Sequence, residues 1–108
     1  MRAGTLNRLV EIQQPGDVKD KLGQPVPGWV RFARPWANIR TVNGREYAAA
    51  DSERSEVTTS IQIRYRDDIT TSMRVVHRGV VYKIHAVLPD EAGRECVYLA
   101  CSNGGSNG

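Results

Sequence analysis

The chain has 108 residues, 40% hydrophobic and 25% charged, with a formal net charge of +3, enough for one buried core and too little for two. No apolar run approaches the ~20 residues of a membrane helix, and the N-terminal MRAGTLNR lacks the apolar stretch of a secretory signal. The charge permits contact with nucleic acid but falls short of the dense basic face of a dedicated binder. Twelve of the fifteen basic residues are arginines scattered between acids, a pattern that suits protein interfaces at least as well as phosphate tracking.

Leu6 to Gln14 reads as the first strand, with Val10 and Ile12 on one face and Leu9, Glu11 and Gln13 on the other. It is expected to stop at Pro15-Gly16. The next residues, PGDVKDKLGQPVPG, hold three prolines and three glycines and read as a long exposed connection, poorly ordered until a neighbour arrives. A second extended segment, Trp29 to Val42, is divided by Pro35. Both tryptophans are expected to pack over the barrel ends or the core.

Asn43 to Arg54, NGREYAAADSER, is the one plausible helix, with Asn43 and Glu46 spaced as a capping box and an alanine run behind them. Its apolar face is too narrow for a helix standing alone. The six charges from Asn43 to Glu56 sum to −2, an acidic patch in a basic chain.

Glu56 to Arg66, EVTTSIQIRYR, is the longest clean alternation. Val57, Thr59, Ile61, Ile63 and Tyr65 face one way and a polar, partly basic set faces the other. Asp67-Asp68 opens a turn. Met73–His77 and Val80–Val87 then form a hairpin across Arg78-Gly79, pairing His77 with Val80 and Val75 with Tyr82. After a turn over Leu88–Arg94, Glu95–Ser102 is the closing strand. Cys96 and Cys101 lie five residues apart on it, roughly 17 Å and on opposite faces, which excludes a disulfide between them. The tail NGGSNG, residues 103–108, is expected to be disordered. The sum is a mainly β chain: a small antiparallel β-barrel of five to six strands, with long loops and one short helix, in a single domain over residues 1–102.

Signals for chemistry are weak. His77 and His85 fall on opposite faces of the hairpin and no CxxC or HxxxH is present, so no metal or other cofactor is expected. No nucleophile elbow or glycine-rich phosphate loop occurs. Nothing argues for an enzyme or a small-molecule substrate. An OB-like nucleic-acid-binding module is the alternative reading: Arg64, Arg66, Arg74 and Lys83 could share a face. Base stacking would need aromatics on that face, however, and Tyr65 and Tyr82 point to the other.

Taken in order, several stretches resemble the phage head-tail joining family, also called head-tail adaptor, head closure or stopper proteins. They are LNRLVEIQQP, the Pro/Gly-rich stretch closing on Trp29, the Trp36-Ala37-Asn38-Ile39 segment, REYAAADSE, IQIRYRDDIT and RVVHRGVVYKIHAV, and a last strand ending near Cys101; the match spans roughly residues 4 to 102. The resemblance implies a structural virion protein of a phage, prophage or gene transfer agent, made in the bacterial cytoplasm and without catalysis. It would form a homo-oligomeric ring beneath the portal or adaptor ring, with the tail or tail-terminator protein below, non-specific passage of packaged double-stranded DNA, and no membrane. It also implies a channel or gating segment over Val42–Ser55, comprising Asn43, Gly44, Arg45, Glu46, Tyr47, Asp51, Glu53 and Arg54. Asp17, Lys19, Lys21, Arg64, Arg66 and Arg74 are the expected inter-subunit or ring contacts, because a ring subunit needs two non-identical lateral surfaces.

Overall fold

Alternating apolar residues along each extended segment give strands with one face to bury, and they do so by curling a single antiparallel sheet around one core. The structure, a computed structural model, describes residues 6–42, 57–90 and 92–103. Its strands are β1 (Arg8–Leu9), β2 (Glu11–Lys19), β3 (Pro25–Ala33), β4 (Trp36–Thr41), β5 (Thr59–Arg64), β6 (Arg74–His77), β7 (Val80–Pro89) and β8 (Cys96–Asn103). Their order in the sheet is β1-β4-β5-β8-β7-β6-β2-β3. The N-terminal segment pairs with β4 through Arg8 and Leu9, and with β6 through Glu11, Ile12 and Gln13. It thereby draws the two ends of the sheet together into a half-barrel.

Eight strands stand where five to six were expected, for two reasons. The N-terminal segment divides at Val10, whose amide donates to the Pro35 carbonyl at 3.1 Å. In addition, the stretch read as a loop from Pro15 to Gly28 is an ordered β-hairpin. β2 continues past Pro15-Gly16 to Lys19 and β3 begins at Pro25, joined by a tight turn in which Gly23 has φ +82° and Asp20 Oδ1 accepts from the amides of Leu22 and Gln24. Only Glu11–Gln13 of β2 also pair with β6, so residues 14–30 form a two-stranded arm beyond the barrel.

The prolines fit because of their register. Pro15 lies opposite Trp29, Pro27 opposite Asp17 and Pro25 opposite Lys19, all in pairs of one parity. In an antiparallel ladder every second pair exchanges no hydrogen bond, so these three positions need no amide hydrogen. On the other parity Gly16 faces Gly28. A Cβ on Gly28 would stand 2.7 Å from Val18 Cγ2, and one on Gly16 would stand 3.0 Å from Val30 Cγ2.

The alternation expected over Glu56–Arg66 holds in β5 (Thr59–Arg64) except at Ser60, which is buried. Ile61 and Ile63 are fully buried, in register with Ile39 and Leu99, and with Ala37 and Val97. Val10, Ile12, Ile69, Met73, Val75, Ile84 and Cys101 complete the core, with Tyr65 and Tyr82 packed on it. The β6–β7 hairpin has the expected register, and φ is +52° at Arg78 and +82° at Gly79, which makes a type I′ turn. Cys96 and Cys101 are free and buried, and burial pushes the Cys101 thiol up to about 12. β8 runs one residue into the expected tail, to Asn103, which pairs with Tyr82. The helix expected over Asn43–Arg54 lies outside the described residues.

Candidate functional site

Three places in this fold carry the residues expected to work. The first is the root of the acidic segment. The chain leaves the sheet at Val42 and returns at Val57, and the Val42 amide donates to the Thr58 carbonyl at 2.9 Å. Val42, Val57 and Ala100 form a small second apolar cluster, with Ala86 and Leu88 against it. Val42 and Val57, which flank residues 43–56, thus lie side by side on the sheet. Asn43, Gly44, Arg45, Glu46, Tyr47, Asp51, Glu53 and Arg54 themselves lie outside the described residues.

The second place is at the other end of β4 and β5, five residues or roughly 17 Å away along the strands. Pro35, Trp36, Arg64, Tyr65, Arg66 and Asp68 line an open cleft of about 420 Å³. Trp36 is 55% exposed, contrary to the expectation that both tryptophans pack over the core or barrel ends. β4 alternates Trp36, Asn38 and Arg40 outward against Ala37 and Ile39 inward, so the signal was present in the period of two. Arg66 donates from Nε to Asp68 Oδ1 at 2.7 Å and from Nη2 to Asp68 Oδ2 at 2.9 Å, and its guanidinium lies 5.4 Å from the Phe32 ring centroid. The hydrogen bonds from Arg66 hold the Asp68 carboxyl below its ordinary range.

That depressed value gives the Arg66–Asp68 pair a signed pH dependence. Its contribution is present above the unfolded carboxylate range and lost as pH falls through the lower folded value. The pair is part exposed, so we expect Asp68→Ala to cost on the order of 0.5 kcal/mol at pH 7. In strongly acidic solution it should cost nothing. Urea unfolding of both forms across that range checks this, and a difference that persists unchanged into acid would refute it.

The third place is the base of the arm. Arg74 on β6 lies 4.3 Å from the Trp29 ring centroid on β3 and donates from Nε to Gln13 Oε1 on β2 at 2.8 Å. One guanidinium therefore ties three strands together where the arm leaves the barrel. Sequence reasoning placed Arg74 among the contact residues and did not see this clamp, because its partners are 61 and 45 residues away. Asp17, Lys19 and Lys21 are exposed on the arm, and Arg64 is exposed beside Trp36.

His85 Nε2 meets Ser102 Oγ at 2.8 Å, and among the described residues no group of His, Cys, Asp and Glu could hold a metal ion. Two of the four basic residues considered for nucleic acid, Arg66 and Arg74, are already stacked on aromatic rings of this chain. What the surfaces present is an arm and an open cleft with an exposed tryptophan.

Comparison with known proteins decides the class. The family model described as "Phage head completion protein" matches residues 1–104. The chain belongs to the phage head completion protein family. Head completion protein gp7 of Enterobacteria phage HK97 is 27% identical over 83 residues, covering 77% of this chain and 74% of that protein. The solution structure of protein SF1141 from Shigella flexneri 2a has a TM-score of 0.76 at 28% identity, covering 98% of this chain and 99% of that one. A chain of the native gene transfer agent virion shares the fold, with a TM-score of 0.59 at 18% identity, over 91% and 94% of the two chains. A head completion protein is a structural part of the virion.

Proposed function

We propose that this head completion protein works without catalysis as a ring subunit beneath the portal or adaptor ring. There it closes the channel over packaged double-stranded DNA and offers the tail, or a tail-terminator protein, its docking surface. The family match over residues 1–104 carries the reading. In it, the segment 43–56 is the channel element. Support comes from the flanking Val42 and Val57, which are held on the sheet and would give a moving segment a fixed base. Its net charge of −2 keeps it from adhering to phosphate, since attraction to DNA grows with each phosphate a cation neutralises. The chain is made in the host cytoplasm and acts in the virion.

Reversing the charge of Glu46, Asp51 and Glu53 to lysine together tests the assignment. We expect particles that assemble but retain or eject DNA abnormally, read as the fraction of heads still full after isolation and as infectious titre. Deleting the gene should leave tailless heads that lose their packaged DNA. Normal retention and titre in the triple variant would remove the segment from the mechanism, and normal tailed particles without the gene would remove the function.

A further inference from the structure

Among the described residues, three of the five exposed large hydrophobics, Leu9, Trp36 and Tyr98, lie on the outer face of the barrel, on β1, β4 and β8. Leu9 pairs with Trp36 across β1 and β4, Arg64 stands beside Trp36 in the cleft, and Gln62 links to Tyr98, with Nε2 3.5 Å from the phenol oxygen. Tryptophan, tyrosine and arginine together are the composition of a protein-binding hot spot. The side chain of Arg64 makes no ion pair among the described residues.

The arm presents matching chemistry. Pro15, Pro25, Pro27 and Asp17 all lie on one face of it and are exposed. Because the outward-pointing backbone positions at 15, 25 and 27 have no amide hydrogen, the arm is poorly suited to adding strands and must bind through side chains. Proline surfaces pack well on tryptophan and tyrosine rings. Asp17 has no ion pair among the described residues, and it lies five residues, roughly 17 Å, beyond Ile12, where the arm leaves the barrel. The Arg74 clamp fixes the direction in which the arm leaves.

We propose that the arm of one subunit lies across the Trp36 patch of a second copy of this chain, with Pro25 and Pro27 on the Trp36 and Tyr98 rings and Asp17 against Arg64. Arm and patch are different surfaces, so the contact is head-to-tail and repeats around a ring. The proposal rests on the ring reading above and names its lateral joint.

Cross-linking in assembled heads tests it. Phage carrying Asp17→Cys with Arg64→Cys are grown, heads are isolated, and a short bismaleimide is added; the native Cys96 and Cys101 are buried. We expect a ladder of multimers from the double variant and none from either single variant. Asp17→Arg and Arg64→Asp should each lower incorporation into heads about tenfold, and their combination should restore it. Protein present in heads without a ladder overturns this joint while leaving the head completion role intact. A dimer from Arg64→Cys alone, or a link to a different virion protein, overturns it in favour of a symmetric contact or a tail or portal contact. Absence of the wild-type chain from heads overturns the joint and the ring reading together.

Discussion

Replacing Ile61 with alanine is expected to cost the fold about 3–4 kcal/mol. The side chain has no exposed surface and sits at the centre of β5, in register with Ile39 on one side and Leu99 on the other. Truncation removes transfer free energy and leaves a cavity that fully buried neighbours, Ile63, Val97 and Leu99, cannot collapse into without breaking their own register. A chain of this length has roughly 5–15 kcal/mol in hand, so the loss is a large share of it. Gln62→Ala, on the same strand with its side chain on the outer face, should move stability by less than ~0.5 kcal/mol. Guanidinium unfolding of the three proteins measures both. An Ile61→Ala cost below ~1 kcal/mol would mean that β5 is not the centre of the core.

Arg74→Ala should cost about 1–3 kcal/mol, and the loss should fall on one element. The guanidinium stacks on Trp29 and bonds Gln13, so its removal loses a cation–π contact and a charge-assisted hydrogen bond. Among the described residues the arm has no other strand beyond Gln13 to hold it, and a two-stranded ribbon is marginal on its own. Hydrogen exchange locates the effect: Gly16, Val18, Val26 and Gly28, whose amides point between the strands, should lose protection about tenfold or more. Amides in β5 and β8 should keep theirs. Arg74→Lys should recover only part, because an ammonium lacks the planar face. Equal loss of protection in the arm and the barrel would show that Arg74 serves general stability instead.

Both expectations depend on features with different visibility in the chain. The faces of β5 and of the β6–β7 hairpin were legible because a period of two is local. Val75, Tyr82 and Ile84 could be assigned inward from their own spacing, and Arg78-Gly79 named its turn because positive φ is a property of the residues there. The arm was not legible. Pro15, Pro25 and Pro27 read as strand breakers because proline withholds an amide, yet in a two-stranded ribbon half of the amides point away from the partner. Which half depends on register with partners six to fourteen residues distant. Trp36 was misplaced for a related reason: bulk and apolarity argued for burial, while its parity with Asn38 and Arg40 argued for the outer face, and parity prevailed.

By itself, then, the sequence determined the β class, the face of each regular strand, the tight turn at Arg78-Gly79, the unpaired cysteines and, through the order of its segments, the resemblance to the family to which the chain belongs. Only the tertiary structure decided that the N-terminal segment joins the two ends of the sheet, that the proline-rich stretch is an arm, and that Arg74 clamps Trp29 and Gln13. It also decided that Arg66 is held by Asp68 while Arg64 is left outward beside Trp36. The physical reason is one of range: side-chain alternation and turn propensity act over two to four residues. Which strand lies beside which, and so which edge, aromatic ring or charge is left uncovered, is settled by contacts between residues far apart in the chain.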